Sequence, residues 1–197
     1  MLTGVEISRS TYAAIAPFRG DPQGLRRLDV SYDGFWRSFQ VIFLLLPVIA
    51  VLILSERAFL IRHLPLIEET FPSGLFLASR LFGAALDWIA FPVVLALLAR
   101  PLDLGRRYVP IVVALNWAAL VAAVPAVVPH LLSLLGLIGE ETAAVLNLVA
   151  LGVILRYEYM VIRIAVGAPP AFCIGLVALD FLISVALSTI MTAIVGI

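Results

Sequence analysis

The sequence predicts an all-α, polytopic integral membrane protein, built as a bundle of about five transmembrane helices. Apolar residues make up 63% of the 197 positions, charged residues make up 13%, and the mean hydropathy is +1.13. A soluble domain averages about 45–50% apolar and about 25% charged residues, so this chain has too few polar side chains to cover a water-facing surface. Five apolar stretches are long enough to cross about 30 Å of hydrocarbon. The arginines between these stretches are very unevenly distributed.

The first predicted span covers residues 35–54. Ser31 and Asp33 stand just before it and are residue types that cap a helix N-terminus. The following residues 55–71 mix apolar and charged side chains. We expect this linker to lie along the membrane interface rather than to cross the membrane.

Residues 1–34 are predicted to form a short cytosolic or interfacial segment. It is expected to be partly helical around residues 7–18 and to end in the turn-rich residues 20–24. Glu6 and Arg9 interrupt its beginning, which therefore lacks the continuous apolar core of a cleavable signal peptide.

Four further spans complete the predicted transmembrane domain of residues 35–197. They cover residues 74–99, 108–128, 141–165 and 171–196. Pro72 precedes the second span, and Pro101 follows it. Pro125 and Pro129 are expected to end or kink the third span, because proline removes a helical hydrogen bond. The fourth span has an acidic first turn, as helix starts prefer, and Pro170 introduces the fifth.

The thirteen basic residues, all of them arginine, predict the orientation in the membrane. Ten lie on one side of the predicted spans: Arg9, Arg19, Arg26, Arg27, Arg37, Arg100, Arg106, Arg107, Arg156 and Arg163. Arg57 and Arg62 lie on the other side, and Arg80 falls within a span. Because cytoplasmic loops carry the excess of basic residues, the N-terminus is predicted to be cytoplasmic and the C-terminus external.

Aromatic residues at the predicted cytoplasmic interface are expected to anchor the bundle. Tyr32 and Trp36 mark this depth on the first span, and Tyr157 and Tyr159 mark it on the fourth. Glu158 lies between the two tyrosines, and we expect its side chain to reach water or a neighbouring arginine.

Ionisable residues within spans are costly, so each one is a functional candidate. At 1.5 Å per residue, Asn116, Asp180 and Asp87 fall at about 12, 14 and 18 Å from the cytoplasmic ends of their helices. Asn147 and Arg80 fall at about 27 and 28 Å. The depths predict one polar layer of Asp87, Asn116 and Asp180, and a second layer of Arg80 and Asn147.

Two stripes of small or polar residues run along the second and fifth spans. The stripe on the fifth span repeats every four residues: Asp180, Ser184, Ser188 and Thr192. The stripe on the second span is Ser79, Gly83 and Asp87. Because small residues let helices approach closely and hydroxyls bond across the contact, these two helices are expected to face each other or a common interior.

These polar residues admit two functional interpretations. In the first, they join the helices of a non-catalytic accessory or scaffold protein. In the second, Asp87, Asp180 and Asn116 form the polar path of a small transporter or of a proton- or cation-conducting protein, with Arg80 tuning their charge.

Enzymatic chemistry is not expected. No phosphate-binding glycine loop, HExxH or GxSxG motif is present in the sequence. His63 and His130 fall in predicted outer loops without a spaced third ligand, so they are interpreted as ordinary loop residues and no metal or other cofactor is predicted. Cys173 is the single cysteine, which excludes an intramolecular disulfide. Thirteen basic against thirteen acidic residues argue against a nucleic-acid partner.

The layout of five spans, a basic N-terminal segment and short loops resembles the Yip-type family of small membrane proteins, which has bacterial members. The stretch YDGFWRSF at residues 32–39 is also similar to proteobacterial inner-membrane proteins of general membrane or transporter type. The resemblance implies a non-enzymatic role in membrane organisation or in assembling other membrane proteins, and the expected location is the bacterial inner membrane. The expected partners are the lipid bilayer and either further copies of the chain or another membrane protein.

Overall fold

Helices are the only regular elements in the described parts of the chain. The computed structural model describes residues 2–63 apart from Gly20 and Pro22, and residues 71–195. Its seven α-helices are α1 (Gly4–Ile15), α2 (Tyr32–Phe39), α3 (Val41–His63), α4 (Ser73–Leu98), α5 (Tyr108–Leu134), α6 (Glu140–Val166) and α7 (Pro170–Val195). Two short 3-10 turns, Ala16–Arg19 and Gly24–Arg27, stand between α1 and α2.

Five helical segments are long and apolar enough to cross a membrane, as judged by length and composition. They are Tyr32–His63, Ser73–Leu98, Tyr108–Leu134, Glu140–Val166 and Pro170–Ile194. The first joins α2 and α3, which are separated by a turn at Gln40. The predicted all-α bundle with five candidate spans is therefore confirmed.

The end of α3 and the start of α6 lie at the same end of the bundle, since Arg62 and His63 both reach Glu140, at 3.1 and 3.0 Å. The most extensive packing joins α5 to α6, α3 to α5, and α4 to α7. We call the end of the bundle that carries α1 the N-terminal end, and the other the opposite end.

The described residues between 2 and 39 form an N-terminal cap that packs on α5 and α6. Ser31 caps α2 as its residue type predicts, because its hydroxyl accepts a hydrogen bond from the Gly34 N–H at 3.1 Å. Arg37 joins the two halves of the cap, pairing with Glu6 at 2.9 Å and with Asp29 at 2.6 Å. The predicted turn at residues 20–24 lies partly outside the described residues.

The prediction that Tyr157 is a membrane anchor is wrong. Tyr157 lies at the contact surface between the cap and the bundle, which we call the cap seam. Tyr157 is 1% exposed, its hydroxyl donates to the Ala14 carbonyl at 2.6 Å, and its ring stacks on Phe18. It faces the cap instead of lipid because the end of α1 and the following 3-10 turn cover this part of α6. Tyr32 and Trp36, by contrast, are exposed, as an interfacial anchor must be.

Two predicted helix ends are also wrong. α3 continues to His63, so the part of the predicted interfacial linker up to that residue is helical. The remainder, residues 64–70, lies outside the described residues. α5 runs through Pro125 and Pro129 to Leu134, which places His130 on a helix and not in a loop. A span tolerates prolines in its interior because neighbouring helices pack against it and compensate for the missing hydrogen bonds.

Candidate functional site

A cavity of about 340 Å³ lies among α4, α5, α6 and α7, and we call it the carboxyl cavity. Its polar lining residues are Asp87, Asn116, Glu158, Asp180 and Ser184. Counted from the helix ends, they lie about 12 to 21 Å from the N-terminal end of the bundle. The structure thus brings Asp87, Asn116 and Asp180, the three residues of the predicted first layer, to one cavity.

Glu158 is the residue of this site that the sequence interpretation missed. Its side chain turns into the bundle and lines the same cavity as Asp180. Its Oε1 is buried, and no N–H or hydroxyl in the described part of the chain donates to it. The expectation that Glu158 reaches water or an arginine is therefore wrong. Its depth could have identified it as a site residue, because residue 158 lies about 12 Å inside the end of α6.

The other polar groups of the carboxyl cavity connect it to neighbouring elements. The Ser184 hydroxyl on α7 donates to Asp87 Oδ1 on α4 at 2.7 Å. Asn116, which is 5% exposed, donates its amide N–H to the Ser38 hydroxyl at 2.9 Å. Asn116 therefore lines the cavity and also holds α2 against α5.

The rest of the carboxyl cavity is apolar and aromatic. Trp88, Phe91, Tyr157 and Phe181 contribute rings, and leucine, isoleucine, valine, alanine and proline side chains fill the walls between them. The indole N–H of Trp88 donates to the Phe39 carbonyl at 3.1 Å, which orients its ring. Among the lining residues in the described ranges there is no arginine, lysine or histidine.

A second cavity of about 300 Å³ lies between α4 and α7 and shares Asp87 and Ser184 with the carboxyl cavity. Arg80, Gly83 and Ser188 continue its lining toward the opposite end. The two stripes predicted to face each other do so. A Cβ atom added at Gly83 would lie 2.8 Å from Met191 Cγ, so the two helices are close here.

Arg80 is 9% exposed and is held at the far end of this second cavity. It forms an ion pair with Glu56 on α3 and donates to the Thr192 hydroxyl on α7 at 3.2 Å. Its guanidinium lies over the Phe76 ring, 5.2 Å from the centroid. Its Nε is buried without an acceptor in the described part of the chain. Glu56 was not among the predicted site residues because it lies in the predicted interfacial linker.

The predicted second layer does not come together around Arg80. Asn147 lines a third cavity, of about 240 Å³, with Glu56 and His130 among its other lining residues. Arg80 is not part of that lining. Glu56 is the residue that connects the two, since it lines the third cavity and pairs with Arg80.

The two histidines have separate partners. His63 pairs with Glu140 and stacks on Phe59, while the His130 Nδ1 lies 3.1 Å from the Ser55 hydroxyl. Over the described residues, no three potential metal ligands cluster together.

Comparison with known proteins assigns the chain to no family. No family model, no curated protein and no solved structure matches it. The resemblance to the Yip-type family therefore stays a prediction, and function has to be inferred from the carboxyl cavity and its surroundings.

Proposed function

We propose that this protein is a multi-pass protein of the bacterial inner membrane that conducts protons or small cations, and that the carboxyl cavity is its proton-binding site. The observation that carries the proposal is the pair of acidic residues, Glu158 and Asp180, that line one cavity at membrane depth without a cation in its described lining. Two carboxyl groups that share one low-dielectric site do not both ionise, so one of them keeps its proton. The pair therefore binds a proton that it can exchange.

A structural role alone is a poor explanation for three acids in one cavity. Asp87 lines the same cavity as the Glu158–Asp180 pair. Charged groups inside a membrane are costly, and three carboxyl groups without a lining cation are costlier than a neutral hydrogen-bonding pair. Interhelical hydrogen bonding needs only the serine, threonine and asparagine side chains that the bundle already has.

The polar residues extend from the carboxyl cavity toward the opposite end. Asp87 and Ser184 line both the first and the second cavity, and Ser188 lies further along α7. Arg80, at about 27 Å from the N-terminal end, then meets Glu56 at the third cavity. The order of the acidic and hydroxyl groups supports stepwise proton transfer from the carboxyl cavity as far as Arg80, whose permanently charged guanidinium does not itself pass on a proton.

Proton flux into liposomes tests this function. Purified protein is reconstituted with a pH-sensitive dye inside, and a potassium diffusion potential drives proton entry. The wild-type protein is expected to acidify the lumen faster than protein-free liposomes. Glu158→Gln and Asp180→Asn are expected to lower the rate to the protein-free value, because neither amide can exchange a proton.

Glu141→Gln is the matched control, since it makes the same chemical change in the same helix at an exposed first-turn position. It is expected to conduct like the wild type. Thermal unfolding in detergent identifies variants that are misfolded. A well-folded wild-type protein with protein-free flux would overturn the proposal, and so would wild-type flux in both carboxyl variants.

The accessory or scaffold role is the second candidate. Asp87 and Ser188 are exposed in the single chain, although they lie at membrane depth. A second copy or another membrane protein packed on α4 and α7 would cover them, and membrane helices use such polar contacts to associate. A chain without flux that purifies from native membranes as a defined complex would favour this role.

A further inference from the structure

We propose that the carboxyl cavity binds an amphiphilic organic monocation in exchange for the proton held between Glu158 and Asp180. This inference rests on the proposed function and names the class of substrate that the same site would take. It starts from the contrast between the three acids of the cavity and its otherwise apolar, aromatic walls.

The size of the cavity exceeds what proton transfer requires. A water molecule occupies about 30 Å³ of liquid, so a single-file proton path needs far less room than this site offers. The volume of about 340 Å³ falls at the lower end of the usual range for small-molecule sites, about 300–1,000 Å³. The space therefore fits a compact organic molecule.

The lining selects the charge and the character of that molecule. Carboxyl groups on α4, α6 and α7 without a lining cation disfavour anions and favour a positive charge. Trp88, Phe91 and Phe181 present rings that attract a cation electrostatically and also bury apolar surface. A small hydrated ion gains little from such walls, and a neutral apolar ligand gains nothing from the acids.

Exchange against a proton follows from the arrangement of the titratable groups. Glu158 on α6, Asp180 on α7 and Asp87 on α4 all line the cavity. Asn116 on α5 is the neutral amide of the lining, while the Tyr157 hydroxyl is bonded to the Ala14 carbonyl. When a monocation enters, the O–H bond of the protonated carboxyl group breaks and the proton leaves to water. The net charge of the site is then unchanged, which avoids the cost of an added buried charge.

The position of the opening suits an amphiphile. Asp87 is exposed and Phe181 is 38% exposed, so part of the cavity lining can be reached from the surface of the bundle at membrane depth. A cation dissolved in the lipid can reach it there without passing the N-terminal cap.

Binding of methyltriphenylphosphonium to the purified wild-type protein in an uncharged detergent tests this inference. Triphenylphosphine oxide is the matched neutral ligand, because it carries the same three phenyl rings without the charge. The cation is expected to bind saturably and to release about one proton per molecule bound in a weakly buffered solution. The neutral compound is expected to bind at least about tenfold more weakly.

Three variants localise the binding. Asp180→Asn is expected to abolish proton release, and Trp88→Phe is expected to weaken the binding of the cation while keeping one proton released per cation. Glu141→Gln, far from the cavity, is expected to behave like the wild type. Equal affinity of the wild-type protein for the two ligands, or cation binding without proton release, would overturn the inference.

The outcomes separate this inference from the proposed function. Proton flux in liposomes together with no saturable cation binding would overturn the substrate class and leave conduction standing. If the protein binds the cation and releases a proton but carries no proton flux, the proposed conducting function is wrong and the proposed exchange site is supported.

Discussion

The cap seam and the carboxyl cavity are two adjoining polar regions of one bundle, since Tyr157 and Asn116 belong to both, and they treat polar groups in opposite ways. Toward the cap, the Tyr157 hydroxyl and the Asn116 amide each meet one well-placed partner. In the carboxyl cavity, Glu158 and Asp180 share the lining with a third acid, Asp87. Paired neutral groups hold elements together, whereas clustered acids store exchangeable protons.

The comparison predicts that stability depends mainly on the cap seam. Trp117 belongs to the seam core and is 2% exposed, whereas Phe181 lines the carboxyl cavity and is 38% exposed. Trp117→Ala is expected to lower the free energy of unfolding by about 3–5 kcal/mol, because removal of a buried aromatic side chain leaves a cavity. Phe181→Ala is expected to cost clearly less. Thermal unfolding in detergent measures both, and equal losses would contradict the contrast between the regions.

A smaller effect isolates a single hydrogen bond at the cap seam. Tyr157→Phe keeps the stacking on Phe18 but removes the donor to the Ala14 carbonyl. The unfolding free energy is expected to fall by about 1–2 kcal/mol, since a buried carbonyl loses its partner. Phe18→Leu, which removes the stacking but keeps the hydroxyl donor, is the complementary variant. Unchanged stability in Tyr157→Phe would show that α1 is held by packing alone.

The smallest expected effect lies within the cap and depends on pH. The Ser31 hydroxyl and N–H bond to Asp29, and together with Arg37 they hold the pKa of Asp29 below its ordinary value of 3.8. The ionised carboxylate therefore adds stability above about pH 4, and this contribution is lost as the pH falls through the lowered folded-state pKa.

Asp29→Asn removes that contribution. The melting temperature of the variant is expected to lie slightly below that of the wild type at pH 6, and the gap is expected to close toward pH 3. Asp103→Asn, on an exposed loop, provides the control for a general loss of negative charge. A gap that stays constant from pH 6 to pH 3 would show that Asp29 is not stabilised as a carboxylate.

The spans were predictable because a long apolar stretch has few alternatives to a membrane helix. The pairing of α4 with α7 was predictable from the spacing of their small and polar residues. Asp87 and Asp180 stood out because a carboxyl group in the middle of an apolar run is easy to recognise. These inferences need only the residues of one or two helices.

Glu158 and Glu56 were missed because both lie near the ends of predicted spans, where small errors in the boundary decide whether a charge reaches water. The partner of Asn116 could not be inferred either, since Ser38 is 78 residues away and belongs to the cap. Tyr157 was predicted to be a lipid-facing anchor, but the cap covers it. Each of these errors depends on how distant segments dock, which local patterns do not specify.

The hydrogen bond from Tyr157 to Ala14 has a consequence for synthesis, because it joins residues 143 positions apart. Helix α1 leaves the ribosome first, yet its docking site is complete only when α6 has been translated and inserted. Its contacts with α5 can form earlier, but the hydrogen bond to Tyr157 cannot. Completion of the cap seam is therefore one of the late steps in assembling the bundle.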